Sequence, residues 1–397
     1  MQKRTLLPIA LTAAALALIG CAKPELAAIP TAPAAVAQAA IAPPTVLPAA
    51  SAPLPITAAT QRVALPIQAL PSQEAELTPP AGRSLLDIQP DETLQLLADI
   101  PIPRTDFGVR MAFSPSSDVL LHNGAGLLIQ RFDLVRNQPL PALTGIEVFS
   151  PFTISVSPDG SVIVADDGSQ MHIWSSGSGE QLNSLLLPPI GARVTAGFHA
   201  DEFFFAADTS GNVLVWDPHN WGEIGRFSYP GRIASGVLFP DGKKIALQDQ
   251  TKSEIAILDL QGIRLGRVPI EGDNDRLLSI SPAGDRFLLH VGYGYPTEGV
   301  RIIEVETGQT VLDLPLLNFR QFAVSSDWSL LAAVGVQNEL RLYRLPGGEL
   351  LLAQPLGVAR TLGVSMSPNG AYLAFYVFKG GDQGAAIQVW GRGSSDP

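Results

Sequence analysis

An all-β fold is predicted, made of seven four-stranded sheets around a common axis, and three observations predict it. A turn signature recurs seven times along the chain, at intervals of 43, 42, 40, 42, 44 and 42 residues. Each copy sits in the same frame of four short runs of β-type residues. The last copy supplies only three such runs, and an orphan fourth run stands ahead of the first copy, so the set is able to close on itself. Four strands per repeat at this period is the signature of a β-propeller. Seven blades over 84–397 are therefore expected.

Composition agrees with a folded, acidic protein. Of 397 residues 46% are hydrophobic and only 16% charged, which rules out a wholly disordered chain. The net charge of -11 argues against a partner held through phosphates, so nucleic acid is not expected. A single cysteine removes intrachain disulfides and cysteine-ligated metal clusters together.

The first element is an address. Lys3 and Arg4 precede an apolar run from Leu6 to Ile19, which is shorter than the roughly 20 residues a membrane span needs. It reads as a signal peptide over 1–20. The run ends in Leu18-Ile19-Gly20-Cys21, which resembles the lipobox of bacterial lipoproteins. That resemblance implies cleavage after Gly20, a diacylglyceryl group on Cys21 and a membrane anchor facing outside the cytoplasm. Loss of Lys3 and Arg4 leaves 24 basic against 37 acidic residues, a mature charge of -13.

The second element, 21–83, is a tether. Between Ala22 and Pro80 stand 12 prolines and 18 alanines in 59 residues, with no aromatic residue. That proline density excludes a long helix, and the absence of apolar periodicity leaves nothing to offset chain entropy. A partly polyproline-II spacer is expected, with a reach on the order of 150 Å.

The third element is the ring. Its turns begin at Ser114, Ser157, His199, Phe239, Ser281, Ser325 and Ser367, and Ser157-Pro158-Asp159-Gly160 shows the chemistry. Proline presets φ at the second position, Asp or Asn favours the third, and Gly accepts a left-handed backbone. Before each turn lies a strand such as Phe152-Thr153-Ile154-Ser155-Val156, and after it a more apolar one such as Ser161-Val162-Ile163-Val164-Ala165. A third ends near a bulky residue and often an acid, as in Val215-Trp216-Asp217 or Ile257-Leu258-Asp259. A Gly-containing turn leads to a fourth, as in Gly347-Gly348-Glu349-Leu350. The orphan strand, Glu92 to Ala98, is expected to pair with the strand ending at Trp390 and close the ring.

These residues resemble the WD-repeat family over about 300 of the 397 residues. Only Trp216-Asp217 matches the name-giving dipeptide, and no Gly-His pair opens a repeat. The family's buried His-Ser-Asp-Trp network is therefore not implied here. The Ser-Pro-Asp-Gly turns also resemble those of the periplasmic Tol-system propeller, and the period resembles bacterial lactonase-type propellers.

Catalytic signatures are absent: no G-x-S-x-G elbow, H-E-x-x-H, P-loop or EF-hand loop occurs. His122, His172, His199, His219 and His290 lack metal-ligand spacing and read as surface or strand-end histidines. Asp166-Asp167-Gly168 and Asp273-Asn274-Asp275 read as solvated turns rather than cation sites, and Tyr293-Gly294-Tyr295-Pro296 as an ordinary turn on the face propellers often use for binding. No catalytic residue, metal or cofactor is expected.

One recurrence is left over. At or just before the innermost strand stand Arg110, Arg193, Arg232, Arg276, Arg320 and Arg360, in six of seven repeats. Two readings compete. The arginines gather at the channel mouth as candidate ligand-binding residues, or they pair with Asp166, Asp208, Asp249 and Asp382 and hold blades together. Their distances to the following turn are 4, 6, 7, 5, 5 and 7 residues, a mixed parity that does not aim them all one way. The function expected is a monomeric, membrane-anchored, noncatalytic module binding a protein or peptide, anionic ones included. The alternatives are a lactonase or hydrolase-type propeller enzyme and a glycan-binding propeller.

Overall fold

The recurring turn folds as its residues require. At Ser367 the serine amide donates to Tyr372 O (2.9 Å), Gly370 N donates back to Ser367 O (2.9 Å), and Tyr372 N donates to the serine hydroxyl oxygen (2.9 Å). Gly370 is left-handed, with φ +64°. The same hairpin forms at Ser157 and Ser281, so the serine hydroxyl satisfies a strand amide that the turn would otherwise orphan. Where glycine is missing, Ser117 (φ 66°) and Trp328 (φ 61°) take that conformation themselves. Trp328 is compensated by burial and by an indole hydrogen bond to Ser279 Oγ in the preceding repeat (2.9 Å).

In this computed structural model the described residues are 82–103, 109–123, 129–144, 153–166, 169–187, 193–199, 203–272, 275–292, 298–380 and 384–393. The chain divides into two units, Met1–Ser72 and Gln73–Pro397, and everything described belongs to the second. The expected signal peptide, Cys21 and all of the expected tether except its last two residues lie outside the described residues.

Seven four-stranded antiparallel sheets form the blades. The innermost strands are β2 (Met111–Phe113), β6 (Thr153–Val156), β10 (Arg193–His199), β14 (Ile233–Leu238), β18 (Arg276–Ile280), β22 (Phe319–Val324) and β26 (Arg360–Met366). Next come β3 (Val119–His122), β7 (Val162–Asp166), β11 (Phe203–Asp208), β15 (Lys244–Asp249), β19 (Arg286–Val291), β23 (Leu330–Gly335) and β27 (Tyr372–Phe378). The third layer is β4 (Gln130–Asp133), β8 (Gln170–Ser175), β12 (Asn212–Trp216), β16 (Glu254–Asp259), β20 (Gly299–Glu304), β24 (Glu339–Arg344) and β28 (Ala385–Gly391). Outermost are β5 (Gln138–Leu140), β9 (Gln181–Leu186), β13 (Glu223–Ser228), β17 (Arg264–Pro269), β21 (Thr310–Pro315), β25 (Glu349–Pro355) and, for blade 7, β1 (Gln95–Ile102).

The second strands are almost continuously apolar because neighbours cover both their faces. In β11 every residue is buried: Phe203, Phe205 and Ala207 pack toward blade 4, while Phe204 and Ala206 pack toward blade 2. Seven apolar clusters result, one at each blade-to-blade interface. A fully buried Leu or Phe contributes roughly 1.5–3 kcal/mol, so the interfaces are where the ring's stability resides.

Closure occurs as the sequence predicts, with β1 antiparallel to β28 from Gln95 opposite Gly391 to Ile102 opposite Ala385. The strand starts three residues later than Glu92 because 84–94 serves as a strap. Leu85, Ile88 and Leu94 are buried in the cluster between blades 6 and 7. Leu94 exchanges two hydrogen bonds with the Gln354 amide (2.8 and 3.0 Å), and Arg392 grips Glu92 (2.7 Å).

The free edges carry a device that the repeat pattern did not reveal. In six of seven outermost strands one extra residue breaks the ladder near the start: Leu97, Leu182, Ile224, Leu265, Val311 and Leu351. Blade 1 instead has a three-residue strand containing Pro139. Bulges, short strands and proline deny an incoming strand a regular edge.

Deleting Gln95–Ile102 is expected to uncover β28, abolish the cooperative melting transition in calorimetry and cause aggregation seen by light scattering. An unchanged melting profile would show that the ring closes by other contacts.

Candidate functional site

Because each inner strand runs toward its Ser-Pro turn, the arginines all stand at the opposite end of the ring, where the loops between blades and between second and third strands lie. Arg110, Arg232, Arg276, Arg320 and Arg360 are exposed. They belong to blades 1, 4, 5, 6 and 7, which are consecutive around the closed ring. The side chain of Arg193 lies outside what is described.

Tertiary structure sorts their mixed spacing. Five inner strands carry a one-residue register shift near their start, with Val194, Ala234, Leu278, Arg320 and Leu362 as the extra residues. Arg232, Arg276 and Arg360 each stand two residues before that bulge, whereas Arg320 is the bulged residue itself. The backbones beneath them are fixed. Arg110 N donates to Asn123 Oδ1 (2.7 Å), and Arg232 N to Thr251 Oγ1 (3.3 Å). Beside Arg360, Thr361 N donates to Asn338 Oδ1 (2.8 Å), while Asn338 Nδ2 donates to the carbonyls of Val358 and Ala359 (3.0 and 3.1 Å).

Two of the carboxylates expected as structural partners, Asp249 and Asp208, take other partners. Asp249 accepts from Tyr229 Oη (3.0 Å) and Thr251 N (2.8 Å) and pairs with Lys252 (3.1 Å). These donors, opposed by burial as the largest single influence, hold its carboxyl below the usual range. Asp208 accepts from the amides of Ser210 and Asn212 and from the Asn212 side chain. Asp382 lies outside the described residues, and Asp166 is fully buried. In blade 4 the Tyr229–Asp249 contact ties the incoming chain to the following turn, without any Gly-His pair.

Of the histidines expected at the surface or at strand ends, His122 and His199 end β3 and β10, and His172 departs from the expectation. His172 is buried in the middle of β8, within 3.3–3.4 Å of Ser184 Oγ and Gln181 Nε2, on the face of the strand that carries Trp174 toward blade 1. His122 and His290 are also buried, whereas His219 is exposed and paired with Asp217 (3.1 Å). His199 Nε2 reaches Pro240 O (3.0 Å) in the next blade.

A cluster missed by sequence reasoning sits at the root of the Tyr293–Pro296 loop, a loop that lies outside the described residues. His290 Nε2 meets Glu298 Oε1 at 3.3 Å with both side chains buried, and burial holds the imidazole below its ordinary value against the pull of Glu298. Asp275 accepts from Gly292 N (2.9 Å) and Gly272 N (3.3 Å) and is raised by burial. Its oxygens are thus committed to backbone amides rather than free for a cation; Asp273 and Asn274, like Asp167 and Gly168, lie outside the described residues. Only contact across blade 5 brings these groups together, and no motif spacing signals it. Among the described residues no group of three or more His, Cys, Asp or Glu has metal-binding geometry.

Three of the cavities among the described residues are shallow clefts. One of ≈ 190 Å³ at the turn end is lined by Ser157, Asp159, Phe198 and His219. A second of ≈ 150 Å³ beside Asp275 and Arg301 separates blades 4 and 5. The third, ≈ 170 Å³, opens on the loop end of blade 6 between Leu317, Phe319, Val336 and Arg341.

These features define the class: a seven-bladed, WD-repeat-like β-propeller of four-stranded blades with an arginine-bearing loop end. Among solved structures, the β-propeller domain of Cps50 (Swd1) from Myceliophteria thermophila is similar, with a TM-score of 0.60 and 17% identity over 76% of this chain and 100% of that one. That likeness is one of fold. No protein-family model matches the chain, and no curated protein does.

Burial lowers the His122 imidazole to about 4 from its ordinary 6.5. Between those pH values the unfolded chain binds the extra proton and the folded one does not, so stability falls as pH drops from 6.5 toward 4. Relative to wild type, His122→Gln is expected to lose less stability over that window, by about 3 kcal/mol, in urea titrations at the two ends. Parallel pH profiles for the two proteins would show that His122 contributes no such term.

Proposed function

We propose that the propeller is a noncatalytic binding module that captures an anionic protein or peptide at its loop end. The observation that carries this is the arc of exposed arginines, Arg232, Arg276, Arg320, Arg360 and Arg110, on consecutive blades of a chain that is acidic overall. A guanidinium fork donates two parallel hydrogen bonds to a carboxylate, and several held on a rigid rim concentrate positive potential where a ligand arrives. The rim is rigid because Asn123, Thr251 and Asn338 fix the strand starts. Arg110, Arg193, Arg232, Arg276, Arg320 and Arg360 are the candidate ligand-binding residues of this reading.

The module is proposed to work in a bacterial cell envelope, on the periplasmic side or the cell surface, held by lipid on Cys21 and spaced from the bilayer by the Pro/Ala-rich segment. What supports this is the basic start, the short apolar run and the Leu18 to Cys21 motif. Several acyl chains anchor stably where one is marginal.

Two measurements test these readings. Arg232→Ala combined with Arg360→Ala is expected to weaken capture of a fluorescein-labelled poly-glutamate peptide by at least about tenfold, with the melting temperature unchanged. A drop in melting temperature without loss of binding would make the arginines structural. Cys21→Ala expressed in a bacterial host is expected to take up no labelled palmitate, and labelling of that variant would overturn the anchor.

A further inference from the structure

We infer that the loop end of blade 6 adds a side-chain pocket to the arginine arc, so that the ligand is an acidic peptide carrying one apolar or aromatic side chain. This rests on the anion-binding reading above and specifies what it recognises. Exposure provides the first observation. Twelve large hydrophobic residues are exposed among the described residues, and ten of them lie on outermost strands or the turns leading into those strands. The other two, Leu317 (53% exposed) and Val336 (52%), stand on different loops of the loop end and rim the same cavity of ≈ 170 Å³.

Construction of the cavity provides the second. Phe319 forms its floor, with the Arg341 guanidinium 4.7 Å from the ring centroid. Gly335 pairs with Phe319 across the strands, and a Cβ there would stand 3.3 Å from the ring, so glycine keeps the space open. Glu339, the one carboxylate in the lining, is paired with Arg341 at 2.8 Å, which leaves the cavity without net charge. An anionic side chain finds no partner there, but an aliphatic or aromatic one gains burial.

Position relative to the arginines provides the third. Arg320 directly follows the floor residue Phe319. On the other side, Asn338, in the turn carrying Val336, holds the backbone on both sides of Arg360 through Val358 O, Ala359 O and Thr361 N. One turn thus lines the cavity through Val336 and, through Asn338, supports the start of the strand that carries Arg360. An extended peptide returns every second side chain to the same face, which suits an apolar residue in the cavity with a carboxylate two positions away on Arg320. A bare polyanion, or an apolar segment without acids, satisfies only half of this surface.

Fluorescence anisotropy on the full chain tests it, with labelled acidic pentapeptides of Glu flanking a central Phe, Leu or Ala. The Phe or Leu peptide is expected to bind roughly tenfold tighter than the Ala peptide. Leu317→Ser with Val336→Ser is expected to erase that preference without weakening the Ala peptide, and both sites are exposed enough that the melting temperature should not move. Arg320→Ala with Arg360→Ala should weaken all three peptides alike. Equal binding of all three with arginine dependence intact would overturn the pocket and leave the anion-binding reading standing. Absence of binding by any would overturn both. Concentration-dependent dimerisation in sedimentation, lost in the Leu317→Ser/Val336→Ser variant without any peptide preference, would assign the pocket to a second copy of the chain and overturn the peptide.

Discussion

Every blade of this protein is apolar on both faces, and that single constraint dictates the rest. A sheet such as the one containing β11, with phenylalanines directed to both sides, cannot leave either face in water, so each blade needs a neighbour on each side. An open row of seven would leave two such faces bare. Only a closed ring removes them, and closure here depends on one strand from the start of the domain, β1, completing the sheet formed by its end. The strap at 84–94 strengthens the same seam through Leu85, Leu94 and the Arg392–Glu92 pair.

A ring closed in this way has spent its faces, which leaves two ends and a circumference to meet the surroundings. The circumference carries the sheet edges, and its bulged or proline-bearing strands keep those edges from pairing with other chains. The turn end is made of compact hairpins whose polar groups are satisfied internally, as at Ser157 and Ser367. What remains is the loop end. There the inner strands begin, bulge and carry arginines whose backbones are fixed from neighbouring turns, which makes it the part of the molecule where rigid support and exposed charge coincide.

The candidate site was half legible in the sequence. The six arginines recur at one place in the repeat, so their presence and their common end of the ring follow from counting. Their relation to one another does not, because the bulges at Ala234, Leu278 and Leu362 reset the parity and Arg320 occupies a bulge itself. Leu317 and Val336 gave no signal, since two isolated hydrophobic residues in loops nineteen positions apart acquire meaning only when the loops are adjacent. The buried His290–Glu298 pair matches no motif spacing, and His172 was hidden because the cover of its face comes from another blade.

By itself the sequence determined the number of blades, the strand content of each and the closing strand. All of these are written in local periodicity: the Ser-Pro-Asp-Gly turn, the alternation of side chains and the count of runs per repeat. Tertiary structure decided what no local pattern encodes, namely which partners Asp208 and Asp249 take, where the ladders slip and which loops share a pocket. Those outcomes depend on contacts between residues far apart in the chain, such as Asn338 with Thr361 or Leu94 with Gln354. The periodicity of the chain is the same whether or not such contacts form, so only the packed ring could reveal them.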